Sequence, residues 1–274
     1  MTEGWRRYAC WLSVLVALAT PGSACTETTG GPSERTITVF AAASLTETFA
    51  EIGKAFEAEH EGARVAFSFG ASSALATQIS EGAPADVFAA ADTATMERVS
   101  GRAGTPGPRV FATNALVVVV PRRAGGLTTF ADLADPGTRL VLAARDVPIG
   151  KYAREVLAKA SGEGGIASDF AARVLANLKS EETNTRAVLS KVQLGEADAG
   201  IVYRTDVAAA AGDVTVIEIP AAYNVTAEYL VAALAGAEHP DLAAGFVEYL
   251  LSPGAQATLV ARGFGGVSGA TGAR

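Results

Sequence analysis

Cysteine and histidine are scarce in this 274-residue sequence, with two of each, and both shortages exclude classes of protein. Cys10 lies within an apolar N-terminal run and Cys25 follows it, so a chain that loses this run keeps one cysteine and has no internal disulfide. No group of cysteines and histidines has the spacing of a transition-metal cation site. Stability must therefore come from a hydrophobic core, for which 49% hydrophobic residues are sufficient.

Positive charge is also in deficit, since 22 Lys and Arg residues face 29 Asp and Glu residues and the formal net charge is −7. Loss of an N-terminal segment with Arg6, Arg7 and Glu3 would remove two positive charges and one negative charge and leave −8. A negative field of this size disfavours nucleic acid and anionic membrane surfaces as partners. An anionic ligand would have to be bound by local groups against that field.

Apolar runs long enough to span a bilayer, about 20 residues, are absent. The run at 10–19 is shorter, follows Arg6 and Arg7, and precedes Pro-Gly-Ser-Ala-Cys at 21–25. This order of basic segment, short apolar segment and small residues is typical of a secretory signal. Cleavage before Cys25 would leave a cysteine at the N-terminus, which is the arrangement of bacterial lipoproteins.

We therefore predict a lipoprotein-type signal peptide over residues 1–24, with Cys25 as the candidate lipidation site, and ordinary secretion stays open as the alternative. Residues 25–35, rich in Thr, Gly, Ser and Glu, are predicted to form a flexible tether. The expected location is the periplasm or the outer face of the cell membrane. A Gly, Ala and Ser tail at 265–274 is predicted to be disordered.

The hydrophobic period of the remaining chain alternates between that of strands and that of helices, which predicts an α/β fold with a mostly parallel sheet. Strands are predicted at 36–42, 64–69, 86–90, 116–120, 139–143, 200–203, 215–219 and 227–234, and helices at 45–60, 72–81, 93–100, 130–133, 150–160, 168–178, 185–194 and 240–251. The long apolar strands 116–120 and 227–234 have the character of crossovers between two lobes. The predicted domains are then residues 36–115 plus 221–264 for lobe 1 and residues 116–220 for lobe 2.

Small and hydroxyl-bearing residues are concentrated at four predicted strand-to-helix junctions, which lie at 41–44, 69–73, 146–152 and 183–186. In open α/β sheets, ligands bind beyond the carboxyl ends of strands, where such junctions gather. Two of the junctions come from each predicted lobe. Their hydroxyls, backbone N–H groups and helix dipoles suit a fully ionised oxyanion, whereas a protonated anion would bring a donor into a site of donors.

Several of these residues also have a purely structural interpretation. Ser44 forms a capping-box pattern with Glu47 three residues later, and Ser72 is likewise placed to cap a helix. A hydroxyl can accept from its own helix and still donate its proton to a ligand, so the two roles are compatible. Asp86 and Asp92, on either side of a short strand, are interpreted as structural residues that hold turns or helix caps.

Two other classes of function compete with anion binding. Residues 70–74, Gly-Ala-Ser-Ser-Ala, nearly match the nucleophile elbow of serine hydrolases, so a secreted serine hydrolase is one alternative. That chemistry needs a general base, and neither His60 nor His239 is well placed in the sequence to act as one. The other alternative, an adhesion or scaffold lipoprotein without a ligand, would leave the four donor-rich junctions unexplained.

Four segments, in this order and spacing, resemble those of the periplasmic molybdate-binding proteins of ABC importers. They are Thr-Val-Phe-Ala-Ala-Ala-Ser-Leu from Thr38, Gly-Ala-Pro-Ala-Asp-Val-Phe from Gly82, Asp-Val-Pro-Ile-Gly-Lys-Tyr-Ala from Asp146 and Gly-Ile-Val-Tyr from Gly200. The resemblance covers about residues 36–264. It implies a two-lobed class II periplasmic-binding-protein fold that closes on one tetrahedral dianion, molybdate or tungstate, without a cofactor or a catalytic residue.

The same resemblance, carried over position by position, implies that the ion is bound by the hydroxyls of Ser44, Ser72 and Tyr203 and by the backbone N–H groups of Ile149 and Thr185. The donor set would differ if Thr185 turned its hydroxyl inward or if Ser73 assisted its neighbour Ser72, and Tyr203 taken alone could be a core aromatic. Sulfate, thiosulfate, phosphate and small organic anions stay open as ligands, because they differ in size and protonation. We expect a monomer that docks on the permease subunits of an ABC transporter.

Overall fold

The computed structural model describes residues 35–101, 107–122, 126–210 and 212–267, which all belong to one compact unit. The predicted signal peptide, Cys25 and most of the predicted tether and tail lie outside these ranges. Arg35, predicted as the last tether residue, begins the first strand and pairs with Ala63. Gly265, predicted as the first tail residue, exchanges two backbone hydrogen bonds of 2.8 Å with Thr113. Within the described ranges, no helix is both long and apolar enough to cross a membrane.

The described strands form one mixed sheet. They are β1 Arg35–Ala42, β2 Ala63–Gly70, β3 Val87–Ala90, β4 Arg109–Pro121, β5 Leu140–Ala143, β6 Leu178–Glu182, β7 Ala199–Tyr203, β8 Val214–Glu218 and β9 Thr226–Ala233. The order along the sheet is β2-β1-β3-β9-β4-β7-β5-β6, and β8 pairs with β4 outside this path. β1 is parallel to β2 and β3, and β5 is parallel to β6 and β7, whereas the pairs made by β4 and β9 are antiparallel. The predicted α/β class is confirmed, and the sheet, predicted to be mostly parallel, has four parallel and four antiparallel strand pairs.

Helices flank this sheet, and several begin where a strand has just ended. They are α1 Thr46–Glu59, α2 Ser72–Ser80, α3 Thr93–Ser100, α4 Pro148–Ser161, α5 Phe170–Ala176, α6 Thr185–Gln193, α7 Pro240–Leu250 and α8 Pro253–Ala261, with short 3-10 helices at Ala43–Leu45, Phe130–Ala134 and Arg204–Ala210. On α1, Phe49, Ile52, Gly53 and Phe56 are buried, and Ala55 is exposed.

β4 has 13 residues, although the sequence predicts a strand only at 116–120. Its first part carries Thr113 and Asn114, polar residues that obscure the strand pattern. The pairing changes within this strand, because residues up to Ala115 pair with β9 and residues from Leu116 onward pair with β7 and β8. The change falls where lobe 1 was predicted to meet lobe 2, and the lobe boundaries themselves stay a prediction.

β6 and α8 are absent from the predicted elements. β6 has the polar sequence Leu-Lys-Ser-Glu-Glu and follows a helix that ends at Ala176, inside the helix predicted at 168–178. It pairs with β5 at the edge of the described sheet, where charged side chains can reach solvent. α8 begins with Pro253 after Ser252, whose Oγ accepts the Ala255 N–H at 3.4 Å. A serine cap followed by proline is a helix-start signal that the sequence contained.

Gly150, in the first turn of α4, is required by a close approach of backbone segments. A Cβ atom at this position would lie 2.0 Å from the carbonyl oxygen of Ala144 and 2.5 Å from that of Ala143. Ala143 ends β5, so the absence of a side chain allows α4 to start directly against the carboxyl end of that strand.

Gly150→Ala is expected to lower the free energy of unfolding by about 3 kcal/mol, because rigid backbone oxygens occupy the space of the new methyl group. Gly245→Ala is the matched control, since no atom lies within 4 Å of the added Cβ inside α7, and it should raise stability by about 0.5–1 kcal/mol. Urea unfolding of both variants and the parent protein measures the difference. Equal effects of the two substitutions would contradict the close-approach explanation.

Candidate functional site

The residues predicted as ligand donors line one cavity. They are Ser44, Ser72, Ile149, Thr185 and Tyr203. The cavity has a volume of about 20 Å³ and lies where β1, β2, β3 and β7 end and where α2, α4 and α6 begin. Ligands of α/β proteins usually bind beyond the carboxyl ends of strands, as here. The structure therefore brings the five residues together, and their role in binding stays a prediction.

Ser44 lies in the 3-10 turn Ala43–Leu45 between β1 and α1 and is 3% exposed. The N-cap of α1 is Leu45, without a side-chain cap, so the predicted capping box of Ser44 with Glu47 is wrong. The extra turn separates the serine from the first residue of the helix. Its Oγ lies instead 2.8 Å from the hydroxyl oxygen of Tyr229.

Ser72 is the first residue of α2, and the N-cap position is occupied by Ala71, which makes no side-chain cap bond. The cap interpretation of Ser72 is therefore wrong as well. Its Oγ accepts the backbone N–H of Ala91 at 3.1 Å, which ties the start of α2 to the end of β3. This bond uses one lone pair of the hydroxyl and leaves its single proton for another partner.

Ile149 and Thr185 lie in the first turns of α4 and α6, where backbone N–H groups have no partner within the helix. Pro148 begins α4, two residues before the predicted start at 150, and Asn184 caps α6 by accepting a first-turn N–H at 3.0 Å. The Thr185 hydroxyl donates to Asp206 Oδ2 at 2.6 Å. The hydroxyl proton of Thr185 therefore points to this carboxylate. The backbone N–H of Thr185 is the donor that it can present to a ligand in the cavity.

Tyr203 ends β7, is 2% exposed, and its hydroxyl has no hydrogen-bond partner among the described residues. Its ring packs edge-on against that of Tyr229, with 5.6 Å between the centroids, so it is a core aromatic as well. Burial raises the pKa of Tyr203 well above its usual value, and the hydroxyl keeps its proton. An unpaired buried polar group costs about 1–3 kcal/mol. An acceptor bound in the cavity would supply the missing partner.

Asp206, which the sequence did not single out, is fully buried beside the cavity. It accepts the Thr185 hydroxyl at 2.6 Å and the backbone N–H of Tyr203 at 3.1 Å, and thereby holds two lining residues in place. Arg186 Nε lies 3.2 Å from Oδ1 but is not aligned for a hydrogen bond. Burial raises the pKa of Asp206 to about 6, although the Arg186 charge and the Thr185 bond lower it. The local sequence around Asp206 contains no signal for this role.

The described residues that line the cavity include no charged side chain. Two ion pairs lie close in sequence to lining residues, and each joins predicted lobe 1 to predicted lobe 2. Arg186 pairs with Glu47, and Lys151 Nζ lies 3.8 Å from an Asp92 carboxylate oxygen. An anion in the cavity would therefore be bound by neutral donors and helix N-termini rather than by a cation.

Asp86 and Asp92 have the structural roles predicted for them. Asp92 caps α3 by accepting the Thr95 N–H at 2.7 Å. Asp86 accepts the backbone N–H groups of Thr38 at 2.6 Å and Glu238 at 2.7 Å, so it ties three segments of the chain together.

Neither histidine lines the cavity that contains Ser72. His60 stacks on Phe56 and its Nδ1 lies 2.8 Å from the Phe56 carbonyl oxygen, while His239 precedes the first residue of α7. In the part of the chain that the structure describes, no group of three or more His, Cys, Asp and Glu residues could hold a metal ion.

Residues 37–265 match the family model described as bacterial extracellular solute-binding protein. The chain belongs to this family. The molybdate-binding protein ModA of Mycobacterium tuberculosis (strain ATCC 25618 / H37Rv) is 39% identical to this solute-binding protein over 241 residues, which cover 85% of this chain and 87% of the relative.

Two solved structures show the fold of the solute-binding protein. The periplasmic molybdate-binding protein of Azotobacter vinelandii has a TM-score of 0.71 at 23% identity, over 83% of this chain and 98% of that chain. The sulfate-binding protein SubI of Mycobacterium tuberculosis H37Rv has a TM-score of 0.73 at 21% identity, over 86% of this chain and 88% of that chain. The periplasmic-binding-protein fold is therefore established, and it is shared by proteins named after two different anions.

Asp206 gives the solute-binding protein a specific pH dependence, because its pKa is about 6 in the folded state and about 4 in an unfolded chain. The stability contributed by this group is greatest below pH 4 and falls as the pH rises to 6. Relative to Asp206→Asn, the parent protein should lose about 3 kcal/mol of unfolding free energy across this interval. Urea unfolding at several pH values from 4 to 7 measures the loss.

Asp132→Asn is the control, because the contribution of Asp132 is constant from pH 4 to 7 and changes only at lower pH, with the opposite sign. The hydroxyl of Thr129 and the backbone N–H groups of Thr128 and Thr129 lower the pKa of Asp132 to about 2. Its stabilising contribution is therefore complete above about pH 4 and is lost as the pH falls toward 2. A parent protein that keeps a constant stability difference from Asp206→Asn between pH 4 and 6 would contradict the raised pKa.

Proposed function

We propose that this solute-binding protein binds molybdate, and tungstate as well, in the cavity lined by Ser44, Ser72, Ile149, Thr185 and Tyr203, and delivers the ion to the permease of an ABC transporter. The observation that carries the proposal is the buried Tyr203 hydroxyl, which has no hydrogen-bond partner among the described residues and lines a cavity whose other candidate groups are also donors. The 39% identical relative from Mycobacterium tuberculosis is named as a molybdate-binding protein, which supports molybdate as the ion.

The size of the cavity supports a single inorganic ion. Its volume of about 20 Å³ lies far below the roughly 300–1,000 Å³ of pockets that enclose drug-sized organic ligands. A tetrahedral oxyanion also has acceptors on every side. It can therefore take hydrogen bonds at once from the hydroxyls and from the helix N-termini that surround the cavity.

Closure of two lobes about the ion is supported by the origin of the lining residues. Ser44 and Ser72 come from predicted lobe 1, and the other three candidate donors come from predicted lobe 2. An ion that touches both sets stabilises the arrangement in which they are close together. The Arg186–Glu47 and Lys151–Asp92 pairs add contacts of the same kind.

Sulfate is the second candidate ion, because a sulfate-binding protein shares the fold at a TM-score of 0.73. That structure is 21% identical and supports the fold rather than the ion. A serine hydrolase has less support, since Ser72 accepts the Ala91 N–H and neither His60 nor His239 lines the cavity as a base. Binding without catalysis needs no group beyond those present.

Export and membrane attachment complete the proposal. The family description, extracellular solute-binding protein, supports a location outside the cytoplasmic membrane. We place the anchor at Cys25, after removal of residues 1–24, and the protein acts as a monomer that the tether holds near the permease. Mass spectrometry of the mature N-terminus decides between an acylated cysteine and ordinary secretion.

Molybdate and tungstate are expected to raise the melting temperature of the purified protein, whereas sulfate and phosphate are not. At about 100 times its dissociation constant, a bound ion should add about 2.7 kcal/mol of stability. A thermal-shift panel of oxyanions measures this. An equal response to sulfate would remove the selectivity from the proposal, and no response to any oxyanion would overturn the function itself.

Ser44→Ala and Ser72→Ala should each weaken molybdate binding by about 10- to 100-fold, since a hydrogen bond to a charged group contributes about 1.5–3 kcal/mol. Isothermal titration calorimetry measures the loss, with circular dichroism as a check on folding. Ser73→Ala is the matched control, because Ser73 is buried next to Ser72 but does not line the cavity. Full affinity in both cavity variants would show that these serines are not ligand donors.

A further inference from the structure

Tyr229 lies directly behind Ser44 and does not itself line the cavity. It belongs to β9, is fully buried, and its ring packs edge-on against Phe111, Tyr203 and Phe264 with centroid separations of 6.3, 5.6 and 5.4 Å. Its hydroxyl oxygen lies 2.8 Å from Ser44 Oγ, and either group could supply the proton of this bond. The direction of the bond decides whether Ser44 has a proton to give to an ion.

Asn114 determines that direction. Its Oδ1 accepts the backbone N–H of Ala115 at 3.0 Å, which identifies Nδ2 as the atom that faces Tyr229. Nδ2 donates to Thr205 Oγ1 at 2.8 Å and approaches the Tyr229 hydroxyl oxygen to 3.5 Å. Tyr229 thus receives an N–H and has its own proton to donate, for which Ser44 Oγ is the neighbouring acceptor. Burial raises the pKa of Tyr229 above its usual value, so the proton is retained.

We propose that Tyr229 is a positioning residue that turns the hydroxyl proton of Ser44 into the cavity. The bond from Tyr229 occupies one lone pair of Ser44 Oγ. It excludes the orientation in which the Ser44 hydroxyl donates its proton to Tyr229. Ser72 has the same arrangement, with the backbone N–H of Ala91 as the donor behind it. This inference rests on the proposed function, because it concerns how the proposed donor Ser44 presents its proton to a bound oxyanion.

The test is a double-mutant cycle of Tyr229→Phe and Ser44→Ala, in which calorimetry measures affinity for molybdate, or for sulfate if the parent protein binds only sulfate. Tyr229→Phe should weaken binding about three- to tenfold when Ser44 is present, which is the effect of one neutral hydrogen bond. In the Ser44→Ala background, the same substitution should change affinity by less than about twofold, because no Ser44 proton remains to be oriented.

Phe264→Leu is the matched packing control, since it alters the ring contact with Tyr229 and keeps the hydroxyl pair, so stability should fall without loss of affinity. If Tyr229→Phe does not fold by near-UV circular dichroism, Asn114→Ala takes its place in the cycle with the same expectation. No loss of affinity, or an equal loss with and without the Ser44 hydroxyl, overturns the inference. A parent protein that binds no oxyanion overturns the proposed function first.

Discussion

The direction in which each buried hydroxyl donates its single proton is the constraint on which the cavity depends. Ser72 receives the N–H of Ala91, the Thr185 hydroxyl donates to Asp206, and Tyr203 has no partner among the described residues. Ser72 and Tyr203 therefore keep a proton for the interior, whereas Thr185 can offer only its backbone N–H. A site that consists of donors disfavours a ligand that carries a proton of its own. Because Asp206 fixes the direction of the Thr185 hydroxyl without lining the cavity, a residue outside the cavity helps to determine its chemistry.

The sheet explains how distant parts of the sequence reach one point. β1, β2 and β3 end on one side of the cavity and β7 ends on the other, while β4 pairs first with β9 and then with β7 and β8. One continuous strand therefore connects the two groups of strand ends. Gly150 completes the arrangement, since α4 can begin against the carboxyl end of β5 only without a side chain at that position.

Local patterns were sufficient to predict the α/β class and the strand-to-helix junctions, because caps such as Asn184 act on the helix that they begin. They were misleading at Ser44, where a capping-box pattern carries no information about Tyr229, 185 residues away. Asp206 was not predicted for the same reason, since it can hold Thr185 and Tyr203 in place only once β7 and α6 pack together. β6 was missed because an edge strand can keep charged residues that look like the end of a helix.

The neutral lining of the cavity has a consequence for how salt changes the rates at which an anion enters and leaves. The formal charge of the chain is −7, yet the described lining includes no charged side chain. An approaching anion is repelled by a long-range field that salt screens over about 8–10 Å, whereas hydrogen bonds inside a cavity act at contact distance and are screened much less. For the anion proposed to bind there, we therefore expect rising ionic strength to speed entry and to leave the escape rate nearly unchanged, the reverse of the behaviour of a protein that attracts its ligand by opposite charge.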